Sequence, residues 1–319
     1  MTTFEVELER EKSAKITLVA ARGAKAAVEF GQDPDDVATF LTHYFRHVDA
    51  MDIDERSVED LFGLVVSHYG LATQRPAARA AIAIRTPSQR DDGWTAGGAT
   101  VVQIVTDDRP FLVDSVTMEV LRQGWSIREV FPPQFLVRRD LGGTLRGIVT
   151  ADQADGDLTV LPESWMHLEI LPPARPGTPA PVADDLEHGL LEVLRLVEEA
   201  VEDWQKMITR SEETIALLGD PSRTAGRREE AAEARELLGW VNANHFTFLG
   251  YREYRLDGGA GTDGDGTPAR FVPVAATGLG ILRADADAPG AFGALPPASG
   301  RADLMVVTKD NYKSRVHRP

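Results

Sequence analysis

The stretch from Thr100 to Phe131, TVVQIVTDDRPFLVDSVTMEVLRQGWSIREVF, constrains the fold of this chain more than any other. Val101, Val102, Ile104 and Val105 form a β-branched run, which predicts a short strand covered on both faces. The run stops at Asp107-Asp108. A carboxylate there can accept from the open N–H groups of a following helix, and Pro110 suits a first turn because its missing N–H would be unpaired anyway. Leu112, Val113, Val116, Val120 and Leu121 then recur at helical spacing, and Gly124 supplies a left-handed stop. Trp125 to Arg138 is extended again, with Pro132-Pro133 marking a bulge or an edge. The stretch therefore reads as a βαβ unit.

With 319 residues, 43% of them hydrophobic, the chain can bury a core in each of two or three domains. A formal charge of −16 and a pI near 4.9 argue against nucleic acid or an anionic membrane as a partner. There is no cysteine, so disulfides and thiolate catalysis are excluded. The N-terminus MTTFEVELEREK lacks the apolar core of a signal peptide, and no segment approaches a membrane-spanning run. A cytoplasmic protein is expected.

Residues 1 to 30 fit either a helix or a short strand pair. Asp33-Pro34 then opens a helix whose buried stripe is Val37, Phe40, Leu41, Tyr44, Phe45 and Val48, and Ser57 caps a second with Val58, Leu61, Phe62, Val65, Val66 and Tyr69 inward. Residues 1–78 thus form a mainly helical element. A domain over residues 79–215 follows, with a strand near 80 to 85, the βαβ unit, a short strand at Leu145 to Val149 and a one-face-buried strand, SWMHLEIL, at Ser164 to Leu171. It closes on a helix from 184 to 210, where Leu190, Leu194, Val197, Val201, Trp204 and Ile208 form a seam that suits the sheet or a helix of another subunit. Residues 216–319 begin a second α/β domain. Its first helix should turn Leu237, Leu238 and Val241 inward; strands are expected at Phe246 to Leu256, Phe271 to Val274, Gly278 to Leu282 and Leu304 to Val307. The end at Tyr312 to Pro319 falls in mid-pattern, as in a piece of a longer chain.

Candidate chemistry is sparse. His43 and His47 share a helical face but lack a third ligand, and exposed histidines are the preferred reading. Asp257, Asp263 and Asp265 lie among glycines without the terminal glutamate of a calcium loop. Gly278-Leu279-Gly280 lacks the third glycine and the helix of a dinucleotide fingerprint. Asn242, Asn244 and His245 suit a helix end, with Asn244 as its cap, and Lys309, Tyr312, Lys313, Arg315, His317 and Arg318 suit contacts to acidic residues beyond. The best ligand candidate is the turn of Asp107, Asp108, Arg109, Phe111, Leu112 and Val113. Open helix amides can bind a carboxylate and an aspartate can bind an ammonium, so an amino-acid effector fits both.

TDDRPFLVDSVTMEVLRQGW resembles the first strand and helix of ACT-type amino-acid-sensing domains. The blocks VVQIVTDDRPFLVDSVTMEV, ESWMHLEIL, LLGWVNANHFTFLGYREY and TKDNYKSRVHRP are similar, in order, to the N-terminal region of the large bacterial NAD-specific glutamate dehydrogenases. That resemblance implies an α+β fold with ferredoxin-like ACT-type βαββαβ modules, a helical N-terminal element and a partial second α/β domain. It implies a parent enzyme that oxidises L-glutamate with NAD and water to 2-oxoglutarate, ammonium and NADH. This chain would be a non-catalytic regulatory and assembly region of it, with no cofactor of its own. Expected partners are the rest of the parent chain, further copies in a homo-oligomer and an amino-acid effector. The alternative is a self-contained amino-acid-binding module. Ligand-binding ACT turns carry glycine after the proline, whereas Phe111 stands here.

Overall fold

The structure, a computed structural model, describes residues 3–29, 34–150, 154, 157, 159–173, 182–224, 226–257 and 270–283. It divides into two compact units, Met1–Leu191 and Glu192–Pro319. The first opens with helix α1 (Thr3–Glu29), which answers the open reading of that segment, followed by α2 (Pro34–Tyr44), the short α3 (Ala50–Asp54) and α4 (Val58–Ala72). Ile16, Val19 and Ala20 of α1 join one core with Phe40, Leu41, Tyr44 and Phe45. Gly23 lets the two helices close, since a Cβ there would lie 2.1 Å from Leu41 Cδ1. Helix α4 starts as its sequence dictates: the Ser57 hydroxyl accepts from the Asp60 N–H at 3.0 Å, satisfying one of the open first-turn donors.

Six strands then build one antiparallel sheet: β1 (Ala81–Arg85), β2 (Thr100–Asp107), β3 (Ser126–Phe131), β4 (Gln134–Arg139), β5 (Leu145–Val149) and β6 (Val160–Leu171). Helix α5 (Leu112–Arg122) links β2 to β3. The order is β1-β2-β6-β4-β5, with β3 beside the far half of β6. Strand β6 therefore lies between the two strands of the βαβ unit, antiparallel to both. The extended segment predicted over Trp125 to Arg138 is two strands, because Pro132 and Pro133 have no N–H for the ladder. The pairing resumes through the Trp165 N–H, which donates to the Pro133 carbonyl at 2.9 Å.

A βαββαβ sheet would receive its last strand after the second helix. Here the place beside β2 is held by β1, which precedes the unit, and among the described residues no later strand joins the sheet. The sheet is covered on both faces. Val101, Val105, Phe131, Phe135, Val137 and Trp165 join the helical core of α1, α2 and α4. The alternate residues Val102, Ile104, Met166, Leu168 and Ile170 are buried too, as are Leu112, Val116 and Val120 of α5 and Leu186 and Leu190 of helix α6 (Ala183–Leu218). Gly189 brings α6 against α5, for a Cβ there would sit 2.2 Å from Glu119 Oε1. The expectation that β6 wets one face is thus corrected: Glu163 to Ile170 are all buried, His167 and Glu169 completely.

In the second unit α6 continues to Leu218 and is followed by α7 (Arg228–Trp240) and a π-helical turn at Val241–His245. Two short ladders follow, β7 (Gly250–Tyr251) with β10 (Leu279–Gly280) and β8 (Tyr254–Asp257) with β9 (Arg270–Pro273). The single strand expected over Phe246 to Leu256 is therefore split between two ladders. Leu237 is 59% exposed, not inward as its spacing predicts, and of α7 only Ala231 is buried among the described residues. Asp203 organises this unit. It is 1% exposed and accepts from Lys206 Nζ, the Gly280 N–H and Arg283 Nε, and these bonds hold its carboxyl well below the usual carboxylate range despite burial.

Candidate functional site

The turn after β2 does not carry out the capping that its sequence predicts. Asp107 Oδ1 accepts from Arg75 Nη2 at 2.6 Å, and its other oxygen lies 3.9 Å from Arg109 Nη2. Asp108 donates its N–H to the Pro162 carbonyl at 3.0 Å, while its Oδ1 accepts from Gln134 Nε2 at 3.0 Å. Burial pushes the Asp108 carboxyl up from its ordinary value. Both aspartates are thus tied to the sheet, and α5 begins without a side-chain cap. Its N-cap is Phe111, held at φ +69°, ψ +5°, the left-handed conformation that glycine adopts without steric cost. Leu112 is buried and Val113 half-buried, so of the six predicted turn residues these two belong to the core side of the helix.

Asp107 leads into a buried charge cluster. Glu163, opposite it in the β2–β6 register, is fully buried and receives both Nε and Nη2 of Arg75 at 2.9 and 2.5 Å. Arg139 adds Nε at 2.6 Å and Nη2 at 2.9 Å, and the Trp165 indole N–H donates at 3.0 Å. Burial alone would raise this carboxyl, yet the two arginines hold it below its ordinary value. The remaining Arg139 and Arg75 donors reach the Ala72, Gly143 and Arg79 carbonyls. Gly143 is required where it stands, because its φ is +85° and a Cβ would lie 2.3 Å from the Arg75 carbonyl oxygen.

A second cluster occupies the other end of β6. Arg56, in the turn between α3 and α4, grips Glu169 with two parallel bonds of 2.5 and 2.9 Å. Arg128 reaches the same carboxylate and the Ala96 carbonyl. On a regular strand Arg128 would point to the opposite face from Glu129. The β3–β6 register slips between Ile127 and Glu129, so Arg128 is the extra residue of a bulge and turns toward Glu169. From Glu169 a buried polar chain runs inward through His167 Nε2 at 3.4 Å, His167 Nδ1 to Gln103 Nε2 at 3.3 Å, and Gln103 Oε1 to Ser67 Oγ at 2.7 Å. Alongside, the Tyr44 hydroxyl meets His68 Nδ1 at 2.6 Å, and burial pushes His68 down to about 3. His68 and His167 are therefore neutral near pH 7. Among the described residues no group of three or more His, Cys, Asp or Glu side chains is arranged to hold a metal ion.

His43 and His47 are exposed, and His43 packs edge-on to Phe135. Of the seam, Leu190, Leu194 and Val197 are buried within the chain, whereas Val201, Trp204 and Ile208 are half-buried. Asn244 takes φ +63° at the end of the helical turn, and His245 stacks on Trp240 and hydrogen-bonds its carbonyl at 2.8 Å. Gly280 has φ +58° and sits in the β7–β10 ladder, where a Cβ would meet the Leu249 carbonyl oxygen at 2.2 Å. Asp263, Asp265, residues 304–307 and the cationic group from Lys309 to Arg318 lie outside the described residues. The residues that sequence reasoning passed over are Arg56, Arg75, Arg128, Arg139, Glu163 and Glu169. The signal available was the two-residue spacing of Glu163, Trp165, His167 and Glu169 along one strand face.

Removing Glu163 leaves the buried Arg139 guanidinium without its carboxylate and Arg75 with Asp107 alone, so Glu163→Ala is expected to cost about 3–5 kcal/mol by urea unfolding. Because the folded-state carboxyl is held low, that contribution is complete above the ordinary carboxylate range and is lost as the pH falls through the folded value. At position 111 the informative comparison is between two small residues. Phe111→Gly should exceed Phe111→Ala in stability by about 1 kcal/mol, since both lose the ring and only alanine keeps a Cβ at positive φ. Equal stabilities would remove the strain argument.

Comparison with known proteins now places this geometry. Residues 40–186 match the family model described as glutamate dehydrogenase, ACT1 domain, a span that runs from α2 through all six strands to the start of α6. The chain is 33% identical over 227 residues to a Pseudomonas aeruginosa protein named NAD-specific glutamate dehydrogenase, covering 70% of this chain and 14% of that one. Proteins of the same name from Halomonas elongata and Mycobacterium tuberculosis are 27% and 29% identical, over 89% and 76% of this chain and 17% and 13% of theirs. The chain thus spans less than a fifth of the length of each relative. Residues 40–186 thus match the glutamate dehydrogenase ACT1 domain, and the chain is related to a part of the proteins named NAD-specific glutamate dehydrogenase.

Proposed function

We propose that this chain is a non-catalytic regulatory and assembly region of a large NAD-dependent glutamate dehydrogenase. The parent reaction would take L-glutamate, NAD and water to 2-oxoglutarate, ammonium and NADH in the cytoplasm. NAD would bind elsewhere in the parent, and the partners of this region would be the rest of that chain and further copies of it. The observation that supports the reading is the use made of charge in the matched domain. The buried carboxylates Glu163 and Glu169 are spent on Arg75, Arg139, Arg56 and Arg128. Groups so engaged serve to join layers, not to move protons on a substrate. Placement of β6 between β2 and β3 supports an ACT-like split βαβ, with β1 taking the edge that a ferredoxin-like sheet gives to its last strand.

A second reading, an amino-acid-binding module, draws on the helix start that lacks a side-chain cap and on half-buried Asp108. Asp107, however, already serves Arg75, and Phe111 occupies the glycine position of ligand-binding turns. The purified 319-residue chain is expected to reduce no NAD when given glutamate. Glutamate-dependent NADH formation by this chain alone would overturn the proposal. Calorimetry against a panel of amino acids separates the two readings: silence supports the assembly role, and saturable heat abolished by Asp108→Ala establishes an effector site.

A further inference from the structure

Helix α7 carries apolar surface that its own packing does not use. Its inner face is a narrow stripe: Ala231 is buried and Ala234, Leu238 and Val241 are half-buried, three and four residues apart in turn. Leu237 and Trp240 stand off that stripe, neighbours one helical turn apart, and are 59% and 47% exposed. The π-helical turn, with Asn244 at φ +63°, then returns the chain to the helix end. His245 stacks on Trp240 with ring centroids 4.4 Å apart, and Phe246, 54% exposed, meets the indole edge-on at 5.6 Å. The hydrogen bond from His245 Nδ1 to the Trp240 carbonyl at 2.8 Å fixes this arrangement. Leu237, Trp240 and Phe246 thus form one preorganised patch, and a rigid aromatic anchor loses little side-chain entropy when it is covered.

The size of the patch decides what can cover it. Large apolar side chains present about 150–250 Å² each, so three of them, about half exposed, offer roughly 300 Å². A free partner needs about 800 Å² on each side. A second copy is opposed further by the formal charge of −16 on each chain. A contact this small holds when both sides belong to one polypeptide, because the tether replaces area with effective concentration. The relatives have that length: this chain spans 14%, 17% and 13% of theirs. We propose that the Leu237, Trp240 and Phe246 patch docks a segment of the parent polypeptide outside residues 1–319, apolar at its centre and basic at its edge. The basic edge is set by Glu233 and Glu236, exposed on α7 seven and four residues before Trp240. The inference rests on the reading of this chain as part of a longer dehydrogenase, and it adds the surface through which the region joins the remainder.

Hydrogen exchange read by mass spectrometry over residues 228–246 tests the contact, in the 319-residue chain and in the full-length parent. Amides of α7 should exchange readily in the chain alone and slow by roughly tenfold or more in the parent. Leu237→Gln preserves helix propensity, so it should leave the urea midpoint of the 319-residue chain unchanged while returning α7 in the parent to the faster rate. Equal rates in chain and parent would overturn the contact. So would protection already present in the 319-residue chain, which points to its own residues as the cover, and protection that grows with its concentration, which points to a second copy. The dehydrogenase reading fails separately: a parent that protects α7 but forms no NADH from glutamate would overturn that reading and keep the contact.

Discussion

Strand β6 carries two carboxylates into an interior where an unpaired charge is prohibitive, and the fold is arranged around that constraint. Glu163 and Glu169 are both fully buried, six residues apart on one face of the strand. Each is met by one arginine from the helical side of the chain, Arg75 or Arg56, and one from the strand side, Arg139 or Arg128. Desolvation of such ions is costly, and only pairing with good geometry offsets it. The helical layer and the sheet are therefore interdependent. Neither can leave without stranding charge on the other.

This explains why the helical element before residue 79 is part of the same compact unit as the sheet. It also explains why the conspicuous turn at Asp107 is a fixture. Arg75 bridges Asp107 and Glu163, so the loop after β2 is braced from within by the cluster that locks the sheet. A ligand competing for Asp107 would have to break that brace. Phe111, held at positive φ, fixes the exit of the turn into α5 from the other side.

Local elements were readable from local rules. The β-branched run of β2, the stripe of α5 and the Ser57 cap of α4 each appear where the residues place them. What escaped was set by distant residues. The alternation of Trp165, His167 and Glu169 with Met166, Leu168 and Ile170 describes a strand with one wet face unless something dries it. The drying agent, Arg56, lies 113 residues earlier and leaves no local mark on β6. The outward turn of Leu237 likewise contradicts a helical stripe that spacing alone would bury. The left-handed state of Phe111 has no sign in the residue itself, because such a turn is ordinarily read from glycine.

The position of β6 also has a bearing on how the chain acquires its structure. It is the last strand of the sheet to be synthesised, yet it lies at the centre, pairing with β2 on one side and with β3 and β4 on the other. Until Leu171 has emerged, β2 and its neighbours on the other flank have no partner between them. Contacts of long sequence separation must then form together, which slows folding and leaves apolar strand edges open in the meantime. A ribosome that releases this chain slowly will therefore hold an incomplete sheet for the time needed to translate the segment from β2 to β6, the interval in which a chaperone has most to protect.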